Sequence, residues 1–221
     1  MKKYLHALQQ CPLFAGIEDN DLLSMLNNCI GATPISYKKG EFILAEGEPV
    51  REIGILLAGR IELSQTDFYG NRNLLAVVHE GELFAESFAC AEVSHSPLDA
   101  VAAEDSAVLL LRMGRLLHTC HHACGHHAEI ILRLVRVLAA KNVTLRQKFS
   151  VISKRSTREK LLTYLHLQAG VCGKTEFDIP FDRQGLADYL GVDRSGLSSA
   201  LGKLSREGVL SFHKNHFILH E

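Results

Sequence analysis

Asp182-Arg-Gln-Gly-Leu-Ala-Asp-Tyr-Leu-Gly-Val-Asp-Arg-Ser-Gly-Leu-Ser-Ser-Ala-Leu-Gly-Lys-Leu-Ser-Arg-Glu-Gly208 reads as two short helices joined by a tight turn. Asp182 suits an N-cap, because its carboxylate accepts from the unpaired backbone N–H groups two or three residues on. Leu186, Ala187 and Leu190 share one face at helical spacing. Gly191 falls where the chain must turn, and a positive φ costs glycine little. Val192 plugs the junction, and Asp193 caps a second helix. Leu197, Ala200, Leu201 and Leu204 face inward, which leaves Arg194, Ser195, Ser198, Ser199, Lys203 and Arg206 largely outside. Gly208 ends the helix as a C′ residue does. The pattern is a helix-turn-helix, a motif whose second helix enters the DNA major groove.

Downstream, Val209–Phe212 and His216–Leu219 read as two strands around Lys214-Asn215, the wing of a winged helix-turn-helix. Upstream, Glu176–Phe181 reads as a short strand and Gly170-Val-Cys-Gly-Lys174 as a loop. Ser156-Thr-Arg-Glu159 has capping-box form and opens a helix holding Leu161, Leu162, Leu165 and Leu167. Before it, from about His126 to Val151, lies the longest helical stretch. Ile131, Leu134, Leu138, Lys141, Leu145 and Lys148 alternate steps of three and four, and Ile130, Val137, Phe149 and Ile152 widen the apolar face. No proline or glycine interrupts it between His126 and Ile152. A helix this long exceeds what one small domain covers, so a parallel coiled-coil partner is expected; packing on the chain's own barrel is the alternative.

From Ala32 to about Met113 the texture changes. Short β-rich runs (Pro34–Tyr37, Glu41–Ala45, Glu52–Leu57, Arg60–Thr66, Asn73–His79, Leu98–Ala103 and Ala107–Arg112) alternate with turns at Gly40, Gly47, Gly59, Gly70 and Gly81. That rhythm predicts an antiparallel sandwich or rolled barrel, with Tyr69-Gly70-Asn71 at a hairpin tip and a short helix within Glu82–Ala91. Ahead of it, Leu5, Leu8, Leu13 and Phe14, interrupted by Pro12, form one short helical segment. A second holds Leu22, Leu23, Met25 and Leu26 behind a cap at Asp19 or Asn20.

Composition sets bounds. The 221 residues are enough for two small domains with real cores. The chain is 47% hydrophobic and 22% charged, and its net charge of −1 excludes a generally basic nucleic-acid coater. Residues 150–221 carry ten Lys/Arg against eight Asp/Glu, leaving −3 for the remainder, a mild asymmetry in favour of the helix-turn-helix end. No apolar run has the length of a membrane span, and Met1-Lys-Lys-Tyr-Leu-His lacks the apolar core of a signal peptide; a cytoplasmic protein without a membrane partner is expected. Cys11, Cys29, Cys90, Cys120, Cys124 and Cys172 are scattered, so free thiols are expected rather than a disulfide framework.

With barrel, long helix and winged motif in this order, the chain resembles the Crp/Fnr family of bacterial transcription regulators. The supporting pieces are Pro12-Leu13-Phe14, Lys39-Gly40-Glu41-Phe-Ile-Leu-Ala-Glu-Gly47, Ile55-Leu-Leu-Ala-Gly-Arg-Ile-Glu, Gly81-Glu-Leu-Phe-Ala-Glu86 and the opening stretch. The resemblance implies an α+β chain: an N-terminal antiparallel β-roll of cupin-like, double-stranded barrel form, a long dimerisation helix, and a C-terminal winged helix-turn-helix. The expected domains are an effector-binding sensor over 1–125, the dimerisation helix over 126–152 and the DNA-binding domain over 153–221. It further implies a homodimer on double-stranded DNA with a two-fold-related site, RNA polymerase as a partner, and an effector or redox cue acting at the β-roll.

The family's recognition helix begins Ser-Arg-Glu with a second Arg further on; here Asp193, Arg194, Ser195 and Ser199 stand at those positions. Arg194 can pair bidentately with guanine O6 and N7, and Ser195, Ser198 and Ser199 complete the expected base-reading set. The half-site should therefore differ from that of the cyclic-AMP receptor. Arg183, Gln184, Lys203 and Lys214, with His213, are placed for backbone phosphates, although Lys203 and Arg206 also suit a merely solvated helix face.

In cyclic-nucleotide-binding relatives a Gly-Glu opens the barrel's short helix, and an Arg-Ser pair some ten residues on holds the phosphate. Here these positions read Ala85-Glu86 and Ser96-Pro97, so the cationic anchor is missing, which argues against cyclic AMP. Arg60, Glu86, Ser87, Ser96 and Thr144 are the candidates for a pocket of another kind, with Arg72 a further possibility; the cofactor is not identified from the sequence. Only Cys11 and Cys29 precede the barrel, which argues against the N-terminal iron–sulfur cluster of the oxygen-sensing relatives.

The run His118-Thr-Cys120-His121-His122-Ala-Cys124-Gly-His126-His127 places Cys120/Cys124 and His122/His126 four apart. That spacing suits metal ligation on a helix, while Gly125 and a connector role stand against it. Two other functions are weighed. A cupin-like metalloenzyme needs clustered histidines, and the barrel offers only His79 and His95, so an enzyme is not expected. A constitutive DNA-binding dimer would use the barrel as scaffold alone.

Overall fold

The computed structural model describes the backbone of residues 1–117 and 125–220, and side chains except those of 125–127. The chain divides into two compact units, Met1–Ala139 and Ala140–Glu221.

The first unit opens with helices α1 (Leu5–Gln10) and α2 (Asp19–Ser24). The expected cap at Asp19 or Asn20 is not made: Glu18 occupies the N-cap without a side-chain bond, and Asp19 lies inside the first turn. A π-helical turn, Met25–Ile30, continues α2 until Gly31 turns left-handed at φ 66°. Eight strands follow: β1 (Pro34–Tyr37), β2 (Phe42–Leu44), β3 (Glu52–Ala58), β4 (Ile61–Thr66), β5 (Arg72–Val78), β6 (Leu83–Phe84), β7 (Asp99–Ala102) and β8 (Ser106–Arg112). They form two antiparallel sheets in the orders β1-β8-β3-β6 and β2-β7-β4-β5. The β-roll is thus the expected one, with one strand, β6, too short to carry a period-two signal. At the β4–β5 tip, Asp67 accepts from the backbone N–H of Tyr69 and Asn71 and from the Asn71 side chain, which holds its carboxyl below the usual range.

Alternation splits the sheets' apolar residues into two cores. Leu56, Ile61, Val78, Phe84, Ala100 and Val108 fill the roll. Ile53, Ile55, Leu57, Leu109 and Leu111 face the other way, onto Leu8, Leu13, Phe14, Leu22 and Leu26 of the N-terminal segment. Helix α3 (Glu86–Cys90) follows β6, and α4 (Met113–Leu117), which the sequence reading did not anticipate, follows β8. Helix α5 (Gly125–Ile152) has the expected length. Its residues Ile130 and Leu134 are buried against the first unit's core, with Val137 and Leu138 packed beside them. Leu134 therefore faces its own domain, not a partner; that corrects the six-residue seam read from the sequence.

In the second unit, α6 (Thr157–Cys172) starts at the Ser156/Glu159 capping box, both halves of which form. The helix runs through Gly170 to Cys172 and stops at left-handed Gly173, so the loop expected over Gly170–Lys174 is mostly helix; one interior glycine costs only about 1 kcal/mol. Strand β9 covers only Glu176–Asp178, shorter than the expected Glu176–Phe181, because Pro180 cannot donate to a ladder. Helices α7 (Arg183–Leu190) and α8 (Arg194–Arg206) follow, then β10 (Leu210–His213) and β11 (His216–Leu219). The wing begins one residue later than expected and joins β9 in a three-stranded sheet, β10-β11-β9. Leu161, Tyr164 and Leu165 of α6 close the core over Leu186, Leu190, Leu197, Leu201, Leu204 and Phe217.

Candidate nucleic-acid interface and β-roll cavity

The two helices of the opening stretch start alike. Asp182 accepts from Gly185 N at 2.7 Å and Asp193 from Gly196 N at 2.6 Å. Both partners are glycines: a Cβ on Gly196 would stand 2.6 Å from the Asp193 carboxylate, and one on Gly185 would stand 3.2 Å from that of Asp182, so a larger residue there would make the cap shift. Asp193 also accepts from the Ser195 hydroxyl at 2.6 Å, and this bond is the main reason its carboxyl sits below the usual range. Between the helices Gly191 adopts φ 60°, ψ 51°, which lets the chain turn without strain.

On α8, Leu197, Leu201 and Leu204 are fully buried. At 100° per residue the opposite side is Ser195, Ser199, Gly202 and Arg206, with Arg194 and Ser198 on one flank and Lys203 on the other. All of these except the half-buried Gly202 are exposed. Ser198 donates to the Arg194 carbonyl at 2.9 Å, and Arg206 Nε to the Gly202 carbonyl at 3.1 Å. The outward face is therefore made of small side chains with a cation at its end, a surface that lets the helix backbone approach closely.

A groove of about 480 Å³ runs beside this face, lined by Pro180, Phe181, Asp182, Arg183, Arg194, Lys214 and Asn215. Arg183 lies over the Phe212 ring, 5.1 Å from its centroid, and donates to the Lys214 carbonyl at 3.4 Å. Its guanidinium is pushed below the usual arginine range, first by burial and then by the charge of Arg194. Two arginines and a lysine thus converge from α7, α8 and the wing, and a phosphate would relieve their repulsion. Gln184 is engaged elsewhere, donating to Asp188 Oδ1 at 2.8 Å. Asn215 also lines the groove but donates to the Ile179 carbonyl; no sequence signal marked it. Nor did any mark Phe212 as the platform under Arg183, since the two meet only through the wing's fold.

In the β-roll, a cavity of about 700 Å³ is lined by Ile43, Leu44, Val50, Gly54, Phe84 and Leu110, with Glu48, Arg51, Glu52, Arg112 and Arg115 among its charged walls. None of Arg60, Glu86, Ser87, Ser96 or Thr144 lines it. Ser96 is buried, and its hydroxyl donates to the Leu98 carbonyl at 2.7 Å, so the position of the family's phosphate anchor is used by a turn. Glu86 is buried and Thr144 donates to the Ala140 carbonyl of its own helix. Arg60 and Ser87 are exposed. Arg112 is neutralised by Glu52 at 3.0 Å. The cavity arginines lie in separate elements, so only folding assembles them.

Cys90 packs 4.0 Å from Met113 Sδ, and burial, then Glu86, pushes its thiol up, as suits a packed thiol rather than a ligand. Burial pushes Cys11 up to about 12. Among the described residues no group of three His, Cys, Asp or Glu is placed to hold a metal ion. Cys120, Cys124 and His122 lie outside the described residues, as does the side chain of His126. No helix among the described residues is long and apolar enough to cross a membrane.

Residues 34–122 match the cyclic nucleotide-binding domain, and residues 159–221 match the Crp-like helix-turn-helix domain. The global nitrogen regulator of Nostoc sp. is 20% identical over 192 residues, covering 84% of either chain. The CRP-like cAMP-activated global transcriptional regulator of Mycobacterium tuberculosis is 20% identical over 206 residues, 91% of this chain and 88% of the relative. The crystal structure of the Thermus thermophilus catabolite activator protein superposes with a TM-score of 0.51 at 23% identity, over 95% of this chain and 94% of that one, a likeness of fold.

Proposed function

The chain belongs to the Crp/Fnr family of transcription regulators and carries its DNA-binding helix-turn-helix; from that premise we propose that it acts as a homodimer on a two-fold-related DNA site, under control of an effector at the β-roll. The functional division proposed is sensor 1–125, dimerisation helix 126–152 and DNA-binding domain 153–221. The observation that carries the reading is the convergence of Arg183, Arg194 and Lys214 beside the exposed face of α8. In the complex, α8 enters the major groove. Arg194 reads guanine, Ser195, Ser198 and Ser199 take the neighbouring base edges, and Arg183, Lys203 and Lys214 contact phosphates. Gln184 reaches a phosphate by leaving Asp188. RNA polymerase is the protein partner, and the cytoplasm the place of action.

Cyclic AMP is not the effector in this reading. The phosphate-anchor position holds Ser96, whose hydroxyl is committed to Leu98, and Pro97 beside it carries no charge. A buried phosphate without a cation loses its strongest contacts. The charged cavity at Arg51 and Arg115 suits a different, anionic molecule. An N-terminal iron–sulfur cluster is likewise not proposed: Cys11 is fully buried with a strongly raised thiol.

The test is binding selection from a random duplex library, followed by anisotropy titration of the recovered site across a salt series. A palindromic site is expected, with log Kd rising linearly in log salt. No enrichment of any site, with full-length protein that elutes folded, would overturn the reading. Calorimetry with cyclic AMP is expected to show no heat of binding.

A further inference from the structure

Ser195, Ser198 and Ser199 are exposed on α8, and their hydroxyls differ in hydrogen-bonding character. Ser195 donates its proton to Asp193 Oδ1 at 2.6 Å. The direction of that bond is fixed, because an ionised carboxylate only accepts. The same oxygen takes the Gly196 N–H at 2.6 Å, and residue 196 has no side chain to crowd the carboxylate there. The Ser195 bond leads in holding the Asp193 carboxyl below its usual range, so the group is charged at neutral pH. Ser198 donates to the Arg194 carbonyl at 2.9 Å, the neutral back-bond open to any serine within a helix. The Ser199 hydroxyl has no partner among the described residues. The cap of α7 is built otherwise: Asp182 takes the Gly185 N–H, but Gln184, at the position matching Ser195, turns away to Asp188.

A hydroxyl has one proton to give and two lone pairs to offer. With its proton committed to a carboxylate, Ser195 presents lone pairs alone on the outward face of α8. The neighbouring charge polarises the O–H bond and makes those lone pairs stronger acceptors. In the major groove only the exocyclic amino groups, adenine N6 and cytosine N4, can donate to them; guanine O6 and thymine O4 only accept. Turning Ser195 round to serve a keto oxygen would exchange a charge-assisted bond for a neutral one. Resting on the major-groove reading above, we propose that Ser195 selects adenine or cytosine against guanine or thymine at its position in each half-site, and that Asp193 is the positioning residue that sets this polarity. A serine by itself serves either kind of base; here the choice is made by the residue two before it.

The experiment selects sites from a random duplex library with the full chain as wild type, Ser195→Ala and Asp193→Asn, followed by anisotropy titration of matched duplexes. Asparagine caps a helix about as well as aspartate, its Oδ1 taking the Gly196 N–H, while its amide donates to Ser195 and releases the hydroxyl proton. Wild type is expected to prefer adenine or cytosine at one position of each half-site by about tenfold over guanine or thymine. Ser195→Ala relaxes that position and no other. Asp193→Asn reverses it to guanine or thymine, and the unaltered remainder of the site shows that α8 is still seated. A purely structural role for Asp193 would weaken every duplex alike and leave the preference where it was; that result overturns the inference. So does a Ser195→Ala protein that selects the wild-type site unchanged, or a wild-type site with guanine or thymine at the position that Ser195→Ala relaxes. Each of these leaves the DNA-binding reading standing, whereas folded wild type that enriches no site overturns both.

Discussion

Tyr164 is the group whose replacement is expected to improve the protein. It is 2% exposed in the core of the DNA-binding unit, and its hydroxyl has no hydrogen-bond partner among the described residues. The ring is well used, 5.1 Å from Tyr189 and 6.2 Å from Phe181. Unfolding returns the hydroxyl to water, so the folded state bears its desolvation. An unsatisfied buried hydroxyl costs about 1–3 kcal/mol, and Tyr164→Phe keeps the ring contacts, so a gain of about 1 kcal/mol is expected. The chain has no tryptophan and two units, so bulk fluorescence would blur the change. Hydrogen exchange of the core amides in α6 and α8 isolates it: protection should rise about fivefold. The same burial pushes the phenol up to about 12, ahead of the charge of Tyr189. The raised value means that ionisation leaves stability untouched below the ordinary tyrosine value, and that the fold loses stability as pH rises from there towards 12, because only the unfolded phenol ionises freely. Exchange that is fivefold faster in Tyr164→Phe would show that the hydroxyl makes a bond the reasoning denies.

Arg194→Lys keeps the charge but loses the planar fork, so affinity for the selected site should fall about tenfold with the salt slope nearly unchanged, whereas Lys214→Ala should lower that slope by about one. Gly54→Ala places a Cβ 2.1 Å from the Phe84 ring; a loss of about 1–3 kcal/mol in urea titration is expected, with partial recovery in the double variant carrying Phe84→Leu. His216 bridges β11 to β9 through Asp178 at 3.0 Å and Glu176 at 3.2 Å, and the Asp178 bond leads in raising its imidazole above 6.5. Its stabilisation of the wing is therefore fully present below the unfolded imidazole value and lost as pH rises through the higher folded one. Histidine titration by NMR checks this, and Asp178→Asn should bring the midpoint down. Asp193→Ala removes the cap of α8 and should destabilise it, seen as faster exchange in its first turn.

The sequence by itself determined most features that depend on neighbours along the chain. Asp182, Gly191 and Asp193 specify two capped helices and a left-handed turn within a dozen residues, because caps and turns are local chemistry. The Ser156/Glu159 box and the glycine-punctuated strands were legible for the same reason. Where competing local signals were nearly balanced, the sequence misled: Gly170 did not stop α6, and Asp19 did not cap α2. The tertiary structure decided which apolar residues of α5 are spoken for. Leu134 is buried in the first unit's core while Val135, one position on, and Phe149, two heptads beyond Val135, are left exposed, and heptad spacing alone does not tell the two faces apart. It also decided the groove of Arg183, Arg194 and Lys214, and the cavity that gathers Arg51 with Arg115 while leaving Arg60 and Ser96 aside. These groups are distant in the chain and meet only once sheets and helices have packed, which no local pattern encodes.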